Sequence, residues 1–301
     1  MSSEVETSKY MEMYEEKFSE DVGSFFRSPV REIFKKVDLN AIYSFAGGYP
    51  SAETFPLEEI RRTMSEVIDK YAGKAFQYGA TQGVPELREA VAERCGVPVE
   101  RVQITSSSQQ GIDVCTRVLV DPGDVILTSS PSYLGALQSF RSYRADIRGV
   151  SHNADIDAFK AEYEKVIAQV EAEGKKIKFL YMIPDFQNPS GESLTLEERE
   201  MLVMLAQEHD FLIVEDSPYR ELRYEGEHIP TMYSLDPWTS ARRYSTNMWR
   251  LNSSEADALM LISRRASPYI NASETCCSAS WRNICRKESH GHIPKAASSS
   301  S

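Results

Sequence analysis

From Pro56 to Asp216 the chain switches repeatedly between two hydrophobic periods, and that alternation constrains the fold more than any other feature of the sequence. Leu57, Ile60, Met64, Val67 and Ile68 recur at helical spacing behind Glu58 and Glu59, whose charges suit a helix N-terminus. Pro85 is placed to open a second helix, with Leu87, Ala90 and Val91 on one face and Cys95-Gly96 as its stop. The strand RVQITSS then precedes the helix SQQGIDVCTRVLV, the strand DVILTS precedes the helix YLGALQSFRSYR, and ADIRGV reads as another strand. Ile156, Phe159, Tyr163, Val166, Ile167 and Val170 predict a long helix ahead of the apolar strand IKFLYMI. Thr195 and Glu198 have the spacing of a capping box, and the helix they open leads into FLIVED, a strand apolar on both faces. Strand-helix alternation of this kind predicts an α/β domain, doubly wound, with a mostly parallel sheet and helices on both faces. Beyond about Tyr244 the strand and helix signals fade, and serine, arginine and paired cysteines take over.

Charge narrows the classes of partner. A net charge of -11 opposes binding to nucleic acid and to anionic membranes alike, so a small-molecule ligand is expected. The acidic N-terminal segment MSSEVETSKYMEMYEEKFSED is helical in pattern and has neither a signal core nor the character of a transit peptide. No apolar run has the length of a membrane span, and five cysteines in 301 residues do not suggest a disulfide scaffold, so a cytoplasmic setting is expected. Cys276, Cys277, Cys285, His290 and His292 carry metal-capable atoms, but their spacing fits no standard zinc module, and no metal site is expected.

Ligands of open α/β sheets bind beyond the carboxyl ends of the strands, where three segments stand out. Thr105-Ser106-Ser107-Ser108-Gln109 lies between a strand and a helix and suits either a phosphate or a simple serine cap. Asp216 ends FLIVED beside Ser217, Pro218 and Tyr219, as a ligand-edge carboxylate or as a turn cap. PDFQNPSG, residues 184–191, turns sharply at Asn188-Pro189.

Six segments in order, SFAGGYPSAETFP, FQYGATQGVPELREAV, ITSSSQQGIDVCTRVLVDPGD, SPSYLGALQSF, PDFQNPSG and VEDSPYRELRYEG, resemble the fold-type I aminotransferases that use pyridoxal phosphate. The likeness is to the branch of 2-aminoadipate and kynurenine aminotransferases, and it runs from about Tyr43 to Tyr244. It implies a homodimeric enzyme that moves an amino group between an amino acid and a 2-oxo acid. It also implies that Ser108 and Gln109 bind the cofactor phosphate, that Tyr133 stacks on the pyridine ring, and that Asn188 and Tyr219 bond its phenolic oxygen. Asp216 would pair with the protonated ring nitrogen, Gly48 would lie near the substrate carboxylate, and Tyr78 would reach the phosphate of the neighbouring subunit. Ser107 stands where the family usually has glycine, which raises the question of backbone strain in the phosphate turn.

The resemblance divides the chain into an N-terminal helical segment with a substrate-side loop (1–49), an incomplete cofactor-binding domain (50–244) and a poorly ordered tail outside the family pattern (245–301). Relatives carry a Schiff-base lysine in a serine-rich turn a few tens of residues after the aspartate, yet no lysine occurs between Lys178 and Lys287. Arginine is no substitute, since a guanidinium stays protonated. Lys287 lies outside the expected window and outside the family pattern. The small domain that clamps substrate is largely missing too, as expected of a chain truncated or frameshifted after Tyr244. Such a chain is expected to be weakly active or inactive. The alternatives are a non-catalytic cofactor-binding or regulatory subunit and, last, the effector domain of a transcription regulator.

Overall fold

The computed structural model describes residues 54–235, together with Tyr14, residues 17–19 and the strand segments 248–254 and 257–261. The chain forms two compact units, one of residues 1–49 with 113–179 and the other of residues 50–112 with 180–301. Among the described residues no helix is long and apolar enough to cross a membrane.

In the first unit, strand β2 (Val125–Ser129) pairs in parallel with β3 (Asp146–Val150), from Val125 opposite Asp146 to Ser129 opposite Val150. Between them runs helix α4 (Leu134–Ser142), and after them α5 (Ile156–Ala172), which touches β3 as α4 does. Phe159, Tyr163, Ile167 and Val170 form the buried stripe of α5, one residue every three to four, as the periodicity predicts. Asp155 caps that helix by accepting a hydrogen bond from the Ala158 N–H at 2.9 Å. The core is sealed by aromatic edges: Phe140 meets Phe179 at 5.6 Å between centroids, and Phe159 meets Tyr163 at 5.2 Å.

Strand β4 (Ile177–Met182) has its residues up to Phe179 in the first unit and those from Leu180 in the second, where β5 (Leu212–Asp216) is its neighbour in strand order. From β5 the strand order of the second unit continues through β6 (Met248–Ser254) and β7 (Asp257–Leu261) to β1 (Val102–Ile104). The β5–β6 pairing is parallel, whereas β7 runs antiparallel to both β6 and β1. Two strands therefore lie where the sequence shows no strand pattern. Their pairing is made by backbone groups, which any residue supplies, and it meets N–H and C=O groups along a largely buried β5.

Helices α1 (Leu57–Tyr71), α2 (Pro85–Cys95), α6 (Leu196–Glu208) and the short α7 (Met232–Leu235) belong to this second unit, and α3 (Ser108–Leu119) begins in it. Helix α2 stops at Gly96, whose φ of 66° is the left-handed conformation that glycine adopts without strain. Gly83 admits nothing larger, because an added Cβ would stand 2.5 Å from Ile104 Cγ1. Helix α6 carries the expected capping box in full, with Thr195 Oγ1 accepting from Glu198 N at 3.2 Å and Glu198 Oε2 accepting from Thr195 N at 2.6 Å. Helix α1 differs from expectation in burial, for Leu57, Ile60, Met64 and Ile68 all stay exposed although they share one face.

Candidate functional site

The turn before α3 is organised by its own side chains. Ser107 O accepts hydrogen bonds from the N–H groups of Gln110 (3.1 Å) and Gly111 (3.3 Å), and Thr105 Oγ1 donates to the same oxygen at 2.8 Å. The Gln110 side chain reaches back to accept from Ser106 N at 2.7 Å and Ser106 Oγ at 2.9 Å. Ser108 and Gln109 form the first turn of the helix, half-buried, where N–H groups point outward and the dipole favours an anion. Ser107 is not among the residues with positive φ, so the serine, at the position where the resemblance leads one to expect glycine, sits here without backbone strain.

Asp216 ends β5 with 2% of its surface exposed. Its Oδ2 accepts a hydrogen bond from the Tyr181 hydroxyl at 2.7 Å, while Oδ1 is buried with no partner among the described residues. Burial pushes this carboxyl up to about 7, against a smaller downward pull from Tyr181. A buried carboxyl with one oxygen held in this way suits a buried N–H at the other, best of all a positively charged one. No sequence motif marks Tyr181 as a site residue. Its signal in the sequence is a phenol within the apolar strand IKFLYMI, where a buried hydroxyl must find an acceptor.

Residues 184–194 form a loop after β4 that closes on itself. Leu194 N donates to Pro184 O at 2.9 Å, Gln187 N to Glu192 O at 2.8 Å, and Ser190 N to the Gln187 side chain at 2.8 Å. Half-buried Asn188 sits at the turn, joined to Pro189 by a cis peptide bond. The structure thus carries Asn188 on the segment after β4, Asp216 at the end of β5 and Tyr219 on the segment after it, all within the second unit. Ser108 and Gln109 open a helix of the same unit. Tyr133 belongs to the other, as the half-buried residue before α4. Tyr78 is 100% exposed. Gly48, Lys287 and the tail residues Cys276, Cys277, Cys285, His290 and His292 lie outside the described residues.

The family pattern for "Aminotransferase class I and II" matches residues 45–259, beginning near Tyr43 as the motifs indicate and running on past Tyr244. The chain belongs to this aminotransferase family. Aromatic-amino-acid aminotransferase 1 of Thermococcus litoralis is 42% identical over 230 residues, which cover 74% of this chain and 55% of the relative. The solved kynurenine aminotransferase of Pyrococcus horikoshii, in complex with PMP, superposes with a TM-score of 0.73 at 32% identity, covering 92% of this chain and 66% of its own. LysN, the alpha-aminoadipate aminotransferase of Thermus thermophilus complexed with N-(5'-phosphopyridoxyl)-L-leucine, does so with a TM-score of 0.69 at 30% identity, covering 92% and 66%. The chain spans about half the length of the curated relatives it matches. Both solved relatives hold phosphopyridoxyl-type groups, and the donor set here suits such a group: a helix N-terminus for a phosphate, and a buried carboxylate oxygen without a partner.

Proposed function

We propose that this chain binds pyridoxal phosphate and descends from enzymes that move an amino group between an amino acid and a 2-oxo acid, with very weak or no turnover of its own. The observation that carries the proposal is Asp216, whose Oδ2 is held by Tyr181 and whose buried Oδ1 has no partner among the described residues. When bound, pyridoxal phosphate supplies an electron sink for the bond broken at the substrate α-carbon. Asp216 would hold a proton on the ring nitrogen, since an anion beside an N–H keeps that group charged. Ser108 and Gln109 would bind the phosphate at the start of α3, and Asn188 and Tyr219 would orient the ring through its phenolic oxygen. Tyr133 would supply flat apolar contact, and Gly48 would border the substrate carboxylate. Fully exposed Tyr78 suits a residue that works in a neighbouring copy, so a homodimer is part of the proposal.

Weak turnover follows from the amine that is missing. No lysine lies between Lys178 and Lys287, and no other side chain there can both hold the cofactor covalently until substrate displaces it and carry the proton between substrate and cofactor carbons. Borohydride reduction in the presence of pyridoxal phosphate, followed by peptide mass spectrometry, tests this directly. The expected outcome is reversible cofactor binding with no pyridoxyl-lysine peptide, and no transamination when an amino acid and 2-oxoglutarate are added. A single lysine adduct together with normal turnover would overturn it. The same missing lysine supports a second reading, a regulatory subunit that pairs with an intact relative. Raised or lowered activity of that relative on mixing would favour it.

A further inference from the structure

Asp185 is 1% exposed and its Oδ1 is shared by two arginines. Arg199, 0% exposed on α6, donates to it through Nη2 at 2.8 Å, and Arg223 does so at 3.0 Å. Arg199 also donates to the carbonyls of Pro184, Leu194 and Pro230, gripping both ends of the loop that carries Asn188. Arg223 comes from elsewhere: it follows the turn Arg220–Leu222, four residues after Tyr219. Its guanidinium lies 4.8 Å from the centroid of the Phe186 ring. Phe186 adopts a φ of 52°, a left-handed conformation that a bulky side chain holds only where its surroundings impose it. Arg223 therefore grips two successive residues of the Asn188 loop, one by charge and one by ring contact, and ties that loop to the segment after β5.

We propose that Arg223 is a positioning residue, which sets the spacing of Asn188 and Tyr219 on the cofactor's phenolic oxygen by holding the two segments together through Asp185 and Phe186. The proposal rests on the cofactor reading given above. Arg199 is anchored by three carbonyls besides Asp185, so loss of Arg223 leaves each segment intact and removes the tie nearest Tyr219, while Arg199 still holds the loop to Pro230. Alignment, not the loop fold, is then what Arg223→Gln removes.

The test is equilibrium dialysis of the full chain against pyridoxal 5'-phosphate and against its 3-deoxy analogue, which lacks the phenolic oxygen. Arg223→Gln should weaken pyridoxal phosphate binding about tenfold, the equivalent of one misplaced hydrogen bond to a charged oxygen, and leave the analogue within about twofold. Arg223→Lys, which keeps the charge and loses the planar fork, should show a smaller loss of the same selectivity. Equal loss for both ligands, or none for either, overturns the proposal. If Arg223→Gln does not fold by circular dichroism, Arg223→Lys decides alone by the same criterion. Asn188→Ala separates the two layers of argument: if it fails to distinguish the ligands, or if the unsubstituted chain takes up no pyridoxal phosphate, the cofactor reading itself falls and takes this proposal with it.

Discussion

Asp146 opens strand β3 in one unit and Asp216 ends strand β5 in the other, and the two carboxylates meet opposite surroundings. Asp146 lies in a partly exposed network, chelated by both arms of Arg148 at 2.7 Å and bonded by Lys175 at 2.7 Å, with Glu173 completing the group. The Arg148 hydrogen bonds, against some burial, hold its carboxyl at about 2. Asp216 has a tyrosine for company and, among the described residues, no partner at Oδ1, and burial carries it to about 7. The first arrangement spends its carboxylate on structure and leaves it inert at neutral pH. The second keeps a carboxyl near its titration point with one oxygen free, which is a condition for chemistry and a cost to folding.

The largest expected effect separates buried charge from exposed charge. Arg199→Met should destabilise the fold by about 3–5 kcal/mol in urea unfolding, because Asp185 loses a partner and three buried carbonyls lose their donor. Arg148→Met, at a guanidinium whose side chain is 27% exposed, should cost about 1 kcal/mol or less. Comparable losses at the two sites would break the distinction.

Next in size is the pH dependence that Asp216 imposes. Its folded value of about 7 lies above the ordinary 3.8, so the contribution is fully present below about pH 4 and is lost as pH rises through 7. Stability should fall by up to about 4 kcal/mol across that window, and Asp216→Asn should flatten the fall. Pyridoxal phosphate should also reduce it, by giving Oδ1 a charged N–H. Urea midpoints at pH 5 and pH 8, with and without the cofactor, measure both effects; an unchanged slope in Asp216→Asn would show that another group titrates.

Tyr181→Phe sharpens the same comparison at smaller cost. The hydroxyl is the group that pulls Asp216 down, so its removal should move the titration to higher pH, shifting the loss of stability in the same direction. At pH 8 the loss should be about 1–2 kcal/mol, for one hydrogen bond to a charged acceptor, and at pH 5, where the acid is neutral, less than about 1 kcal/mol. Equal losses at the two pH values would mean that the phenol fills space and does not tune the carboxyl.

The two regions also differ in how far the sequence reveals them. The stripe of α5, the stop at Gly96 and the Thr195–Glu198 box follow from local rules, and the structure has each of them. Asp216 is legible as a strand-end acid. Its unpartnered oxygen and its Tyr181 bond are not, because they depend on β4 and β5 being neighbours. The same holds for Asp185, Arg199 and Arg223, which read as ordinary loop and helix charges until tertiary packing brings them together. Strands β6 and β7 escape a pattern-based reading because backbone pairing, not side-chain periodicity, defines them. The apolar face of α1 shows the converse, a clear period without burial among the described residues.

The smallest effect belongs to Asp146, and its sign is opposite to that of Asp216. A folded value of about 2 lies below the ordinary 3.8, so its contribution is present above about pH 4 and is lost as pH falls through 2. With a quarter of its side chain exposed, solvent screens most of that coupling, and Asp146→Asn should cost roughly 0.5–1 kcal/mol at pH 7. Because the network stands in water, the cost should shrink further in about 1 M salt, where screening acts over some 3 Å. The slope from Asp216 should survive the same salt, since its origin is desolvation and Oδ1 is buried away from mobile ions. A salt-sensitive Asp216 slope, or a salt-insensitive Asp146, would erase the contrast between a carboxylate governed by its partners and one governed by its burial.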